Sequence, residues 1–456
     1  MLSKPQMRGA TLWRHPAFMR LWAAQGLSAF GNRITRTALP IIAISVLAVS
    51  PAEAALLSAL GFAPVVVAGL AGGGLVERAR KVRLMVMMDL LRFALVMAIP
   101  IAFALGVRSF WLLVLVSMAV SAASTLFQNA DTSILPTLVS KSQLVEANSK
   151  LQTTESIAEL AGPGAAGILV DVLTAPVAII VDAVTFLWSA AWLAAMRFHA
   201  GEADAPGVPV AHGQSALAAL REDVVVGFRA VMQRPALRAL LFATVAFYVS
   251  AGFFFGLYML FALRTLGLSA SLVGVIVSMG GVSALGGAIL ARRVSRWLGF
   301  GPAIIVTFAI GMAGSALLLP AAIWPGAGAP LLFIQQLLSD GAFMAHMILA
   351  SSLRQALLPP NEIARANGLF QAIGGIGMTV TTLLSGVIAE AVGVPAAVMI
   401  GAGCALLAMI PLISPTLLRM KDEPGGEAEP QPEMEEVVLQ DGETPARLAP
   451  LEGPAT

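Results

Sequence analysis

The sequence predicts an all-α membrane protein with twelve transmembrane helices in two pseudo-symmetric six-helix halves. Three observations lead there. First, 58% of the 456 residues are hydrophobic and only 12% are charged, with a mean hydropathy of +0.84. A soluble domain carries roughly 25% charged residues, so this chain lacks the polar shell that a water-soluble globule needs. Second, twelve apolar runs are long enough to cross a bilayer, which takes about 20 mainly apolar residues. Third, the chain repeats itself at a fixed offset.

The runs cover residues 18–48, 53–76, 84–105, 110–136, 147–171, 176–198, 236–264, 270–291, 301–323, 330–357, 365–390 and 394–416. They are rich in Leu, Ala, Met and Gly and lack the alternation of barrel strands, so helices are the expected spanning form. Lys4, Arg8, Arg14 and Arg20 precede the first run, and "TALPIIAISVLAVSPAEA" reads as the end of a first span rather than a secretory signal. Basic residues then fall on alternate loops: Arg78 to Arg83, Lys141 and Lys150, Arg197 to Arg238, Arg292 to Arg296, Arg365, and Arg419 with Lys421. The other side offers little beyond Arg108 and Arg264. By the positive-inside rule both termini are cytoplasmic, in a multi-pass membrane protein.

The repeat defines the domains. "SQLVEANSKLQ" (142–152) matches "NEIARANGLFQ" (361–371); Asn148 and Asn367, Gln152 and Gln371, and Gly167 and Gly386 are each 219 residues apart. The expected units are a half at 1–198, a linker at 199–235, a second half at 236–418 and an acidic tail at 419–456. Parallel halves around a central site are a secondary-transporter architecture. In the linker, Leu217, Leu220, Val224, Phe228 and Val231 share one helical face, which predicts an amphipathic helix on the cytoplasmic membrane surface. From Lys421 onward ten acidic and two basic residues, with much Pro and Gly, predict a disordered segment.

Several chemistries lack their residues. There is no GxxxxGK[ST], no HExxH and no GxSxG, and the single cysteine, Cys404, precludes an intrachain disulfide or a cysteine-based metal cluster. No metal, no cofactor and no catalytic residue is expected, and neither an enzyme nor a nucleic-acid binder is indicated. The expected partners are a small-molecule substrate, protons and the lipid bilayer, for a monomeric protein.

Motifs then suggest a family. "GGLVERARK" (73–81) resembles motif A of the major facilitator superfamily through Gly73, Leu75, Arg78 and Lys81, with Glu77 in place of the usual Asp. "ELAGPGAAG" (159–167) resembles motif C of its antiporter branch through Gly162, Pro163 and Gly167. "HPAFMRLWAAQGLSAFGN" (15–32), "ILPTLVSKSQLVEANS" (134–149) and "SLRQALLPPNEIARANG" (352–368) are similar to the subgroup of the enterobactin exporter and macrolide efflux proteins. The resemblance covers about residues 15–418. It implies the major facilitator fold, alternating access and proton-coupled export of a siderophore-like or drug-like amphiphile. The sequence departs from the pattern at motif B, whose R-x-x-x-G is missing from the fourth span, and at Asn32, where an Asp is common.

Ionisable groups within spans are costly and are functional suspects by default. Arg33 and Arg36 share a face of the first span at i,i+3 spacing. They predict either a site for an anionic substrate or ion pairs with a neighbouring span. Glu155 and Glu159, at i,i+4 in the fifth span, lie about 12 and 18 Å from its cytoplasmic start at 1.5 Å per residue. Together with Asp131 they are candidates for proton coupling, with structural pairing as the other reading. Asn32, Gln128, Tyr248, Tyr258, Asp340 and His346 are substrate-site candidates. Gating candidates are Gly73, Glu77, Arg78, Lys81, Asp89, Arg92, Gly162, Pro163, Gly167 and Arg354; Asp131 and Arg354, which correspond roughly in the repeat, read as conformational latches facing the cytoplasm, with substrate contact as the other reading. Asp182 reads as structural. Two other functions stay open: import or facilitated passage of a small anionic metabolite, and a non-transporting membrane scaffold or sensor.

Overall fold

The computed structural model describes residues 12–61, 64, 79–140, 143–200 and 216–421. Every regular element in these residues is helical. A short turn, Leu12–Arg14, precedes α1 (Pro16–Ile41), which runs on into a π-turn at Ile42–Val46. Then come α2 (51–61), α3 (Lys81–Ala104), α4 (Phe110–Leu138), α5 (Leu144–Leu173), α6 (Ala175–Ala200) and α7 (Ala216–Met232). Next, α8 (Pro235–Leu260) ends in a π-turn at Phe261–Thr265, followed by α9 (Ala270–Leu298), α10 (Phe300–Ser315) and α11 (Leu318–Ile323). The last are α12 (Gly328–Leu357), α13 (Pro360–Val392), α14 (Val394–Leu407) and α15 (Pro415–Leu418).

Ten of these segments, among the described residues, are long and apolar enough to cross a membrane. The expected twelve are not reached, for two reasons visible in the sequence. The second run lies largely outside the described residues, and Gln25, Asn32, Arg33 and Arg36 interrupt the apolar run of α1.

Local chemistry sets the helix starts. Ser50 and Glu53 cap α2 reciprocally: the Ser50 N–H donates to the Glu53 carboxylate at 2.8 Å, and the Glu53 N–H to the Ser50 hydroxyl at 3.2 Å. Ser109 and Ser269 cap α4 and α9 by accepting from the third residue on. Backbone irregularities recur at the offset seen in the sequence. The π-turns begin at Ile42 and Phe261, the positive-φ residues that follow are Ala48 and Gly267, and the caps after them are Ser50 and Ser269. Thr174 and Gly393, each joining two helices, have φ of 75° and 85°. All four pairs are 219 residues apart.

The helices before residue 200 pack chiefly on one another, as do those after 216, and the main contact between the two sets is α5 against α9. Two separate cores occupy the end that carries the basic loops, one built from residues 12–196 and one from 230–417. At the opposite end a single core joins both sets, from Ile34 and Ala166 through Phe253 and Ala270 to Ala402. The helices thus converge at one end and diverge at the other.

The linker helix α7 packs in part on protein. Val231 is buried, and Gly227 lies against the Arg365 backbone of α13, whereas Val224, Val225 and Phe228 are exposed. Arg234 holds the same junction through Glu362 at 3.1 Å. The face containing Val231 therefore docks on protein, while Val224 and Phe228 point away from it. The side chains of Leu217 and Leu220 lie outside the described residues.

Candidate substrate and coupling site

The centre of the molecule is organised by Arg33 on α1. Its Nη2 donates to Glu155 Oε1 at 2.5 Å and also pairs with Glu159 Oε2, so one guanidinium bridges two carboxylates one turn apart on α5. Glycine makes this possible. A Cβ at Gly162 would fall 2.5 and 2.7 Å from Arg33 Cβ and Cγ, so only a residue without a side chain lets Arg33 lie across α5. The Arg33 side chain is 12% exposed, but Glu155 and Glu159 are 48% and 56% exposed. The carboxylates are thus left open by the protein while the guanidinium is covered.

Arg36 behaves differently from Arg33. It is exposed and makes no ion pair among the described residues, although both glutamates act on it electrostatically. Of the two readings the sequence leaves open, Arg33 meets the second, an ion pair with a neighbouring span, whereas Arg36 is left without such a pair among the described residues. Asn32 neighbours them, half-buried.

Across the centre, Asp340 on α12 occupies the space that a Gly280 side chain would need, and it interacts electrostatically with Glu159. Tyr258 stacks on Phe254 at 4.4 Å between centroids; its buried hydroxyl has no hydrogen-bond partner among the described residues and faces the Asp340 charge. Gln335 and Gln336 are buried beside Asp340 and bond to each other at 3.2 Å, leaving Gln335 Oε1 unpartnered. Both were missed in the sequence, although two adjacent glutamines inside an apolar run are a polar signal. A separate cleft of about 640 Å³ is lined by Asn148, Gln152, Ser156 and Leu160 of α5 and Leu285 of α9.

Other candidates are held elsewhere. His346 is buried, with Nδ1 3.0 Å from the Ile304 carbonyl and its ring 4.9 Å from Phe308; it is a packed residue of the α10–α12 contact. Asp131 accepts from Gln25 of α1, a partner not foreseen, and Gln128 is exposed nearby. Tyr248 lies over Gly374, with its ring 5.2 Å from Phe247. Arg354 donates to Asn367 at 3.0 Å and covers Phe370 at 4.8 Å.

Asp89 and Arg92 pair with each other within the bundle. Arg92 is sandwiched between Phe127 and Phe186, 4.4 and 4.5 Å from the ring centroids, and also feels the Asp182 charge. Asp182 in turn abuts Gly31 and Thr185. This cluster ties α3, α4, α6 and α1 together, so its placement is that of a scaffold. Gly73, Glu77 and Arg78 lie outside the described residues; Lys81 is the first residue of α3.

The α5–α9 contact is built from small residues. Pro163 cannot donate a hydrogen bond, and the next amide, Gly164 N–H, donates to Ser278 Oγ at 2.9 Å. Gly167 lies against the Ala270 carbonyl, Gly274 against the Pro163 carbonyl and Gly281 against Leu160. Such glycines let helix backbones approach closely. One turn on, Asp171 accepts from the Ser271 N–H at 2.8 Å. Arg264, at the end of α8, donates to the carbonyls of Val49 and Ile44, both at 2.7 Å. These bonds fasten the convergent end.

A family described as transmembrane secretion effector matches residues 10–444. Among solved structures, a bacterial homologue of the iron transporter ferroportin, in an inward-facing state, is 16% identical with a TM-score of 0.67, covering 89% of this chain and 99% of its own. The nucleoside transporter NupG is 14% identical with a TM-score of 0.66, covering 88% and 99%. A bacterial homologue of the lysosomal transporter Spinster is 13% identical with a TM-score of 0.63, covering 87% and 95%. No curated protein sequence gives a significant match. At these identities the structural likeness establishes the fold.

Proposed function

The chain belongs to the major-facilitator family of transmembrane secretion effectors, and from that premise we propose that it is a proton-coupled exporter of a siderophore-like or drug-like amphiphile. It works as a monomer in the bacterial inner membrane, by alternating access of two six-helix halves. The backbone features repeated 219 residues apart support the two-half reading. With both termini and the basic loops cytoplasmic, the divergent end faces the cytoplasm and the α5–α9 contact closes the outer side.

The observation that carries the proposal is the bridge from Arg33 to two accessible carboxylates. A guanidinium with two carboxylates is an exchange site. When substrate enters from the cytoplasm, a donor group of the amphiphile, a catechol hydroxyl or a protonated amine, takes the place of Arg33 on one ionised carboxylate. When the cavity opens outward, Glu159 takes up a proton and loses its hold on the substrate. The substrate leaves, the closed outer contact re-forms, and the proton departs to the cytoplasm. Substrate and proton thus compete for the same set of atoms, which is the requirement for antiport. Asp340, Tyr258 and the two buried glutamines form the facing wall, and Gly162 couples Arg33 to the helix that carries the closing contact.

Everted membrane vesicles test this. With the lumen acidified, so that protons are driven outward, such vesicles should accumulate a catecholate siderophore or an amphiphilic dye. Absence of accumulation across a panel of both classes, with the protein present and the gradient intact, would overturn export. The exposed, unpaired Arg36 favours a second reading, import or facilitated passage of a small anionic metabolite. Gradient-independent uptake of such an anion by right-side-out vesicles would support it.

A further inference from the structure

We propose that the acidic segment 422–456 docks on the basic end of α9, its carboxylates pairing with Arg292, Arg293 and Arg296. The place where the described chain stops is the starting point. The carbonyls of Met420 and Lys421 accept the N–H groups of Gly301 and Phe300 at 2.8 and 2.9 Å. They satisfy two of the otherwise unpaired donors at the start of α10. Gly301 has no room for a Cβ, because the Leu417 carbonyl lies there, and Lys421 Cα packs against Gly299. The chain is therefore pinned to the α9–α10 turn at the point where the acidic segment begins.

The surface next to that turn is basic and open. Arg292, Arg293 and Arg296 are all exposed, and none forms an ion pair among the described residues. Arg296 lies i,i+4 from Arg292 and i,i+3 from Arg293, so the three share one side of the helix and repel one another by a few tenths of a kcal/mol per pair. Trp297 beside them is 78% exposed. Arg296 is about 4.5 Å along the helix axis from Gly299, and Arg292 about 10 Å.

The segment supplies the complementary charge. Residues 422–436 contain seven acidic residues and no basic one. A chain of 15 residues has a root-mean-square reach of about 20 Å at 5–6 Å × √n, which spans the three arginines with length to spare. Tethering holds these carboxylates at an effective concentration on the order of millimolar, an advantage that free anions or lipid headgroups lack. Leu285, which lines the cleft, is about 10 Å from Arg292 along the helix. A docked segment therefore lies beside the mouth of the cleft.

The test uses Trp297 as a contact quencher. The chain's single cysteine is removed as Cys404→Ala, and bimane is attached to Met434→Cys in the full-length protein, reconstituted in neutral-lipid nanodiscs. Bimane emission should be quenched in about 0.05 M salt and recover in about 0.5 M, as the screening length shortens. The quenching should vanish in Arg292→Gln/Arg293→Gln/Arg296→Gln and in Trp297→Phe, and persist in the triple Arg→Lys variant, which separates charge from misfolding. It should also persist in anionic-lipid nanodiscs. Equal emission in the parent and the triple Gln variant would overturn the proposal. Quenching lost in anionic discs would do so too, assigning the arginines to lipid headgroups.

Discussion

Replacing Arg264 with Gln should loosen the convergent end of the molecule. The guanidinium donates two hydrogen bonds of 2.7 Å to carbonyls of the segment that joins α1 to α2. A hydrogen bond from a charged donor contributes about 1.5–3 kcal/mol. Glutamine can reach one carbonyl but not both, so the closed contact should lose the value of roughly one such bond. At about 1.4 kcal/mol per decade, the equilibrium between closed and open outer contact shifts about 10- to 100-fold. The assay places a cysteine at Ser271, whose N–H caps Asp171 within the same contact, in a Cys404→Ala background. Alkylation by a membrane-impermeant maleimide added from outside should accelerate by that factor in Arg264→Gln. Arg264→Lys, a point charge without the fork geometry, should fall between. An unchanged alkylation rate would refute the argument that Arg264 fastens this end.

Three further outcomes follow from the packing. Gly162→Ala should abolish most transport in a folded, membrane-inserted protein, because the new methyl group collides with Arg33 Cβ and Cγ; vesicle uptake set against size-exclusion behaviour checks this. Arg92→Met should lower the unfolding midpoint sharply, since it leaves Asp89 and Asp182 buried without a counter-charge, a loss of about 3–5 kcal/mol; Arg92→Met with Asp89→Leu should recover part of it. Glu77→Gln, in the glycine-and-charge loop after the second span, should slow turnover while leaving substrate affinity nearly unchanged, as a gate requires and a binding site does not.

Much of the fold was legible because it is written in one-dimensional signals. Apolar runs report spans, and the matched Asn148–Asn367 and Gly167–Gly386 pairs report a repeat that returns in the π-turns and caps. The first span stands out less than the others, because Gln25, Asn32, Arg33 and Arg36 interrupt the apolar run of α1. At the site, the residue types were readable but their partners were not. Arg33 and Arg36 look equivalent at i,i+3, yet one is clamped and the other open, because the distinction depends on Gly162 of another helix lying beneath Arg33. His346 and the Asp89–Arg92 pair were flagged by their charge alone. Their burial against α10 and between two phenylalanines depends on helix rotation, which no single run encodes. The linker helix shows the same limit, since its periodicity defined an apolar face but not which side would meet α13.

The central claim is that a proton and the substrate compete for the Arg33–Glu155–Glu159 set, and proton release on binding tests it most directly. Purified protein in a weakly buffered medium, with a pH-indicator dye, is titrated with a transported substrate. The account predicts that binding releases protons from the parent, and that Glu159→Gln binds the same substrate with little or no release. Undiminished release from Glu159→Gln, or binding to the parent without any release at pH values where transport is gradient-driven, would contradict it.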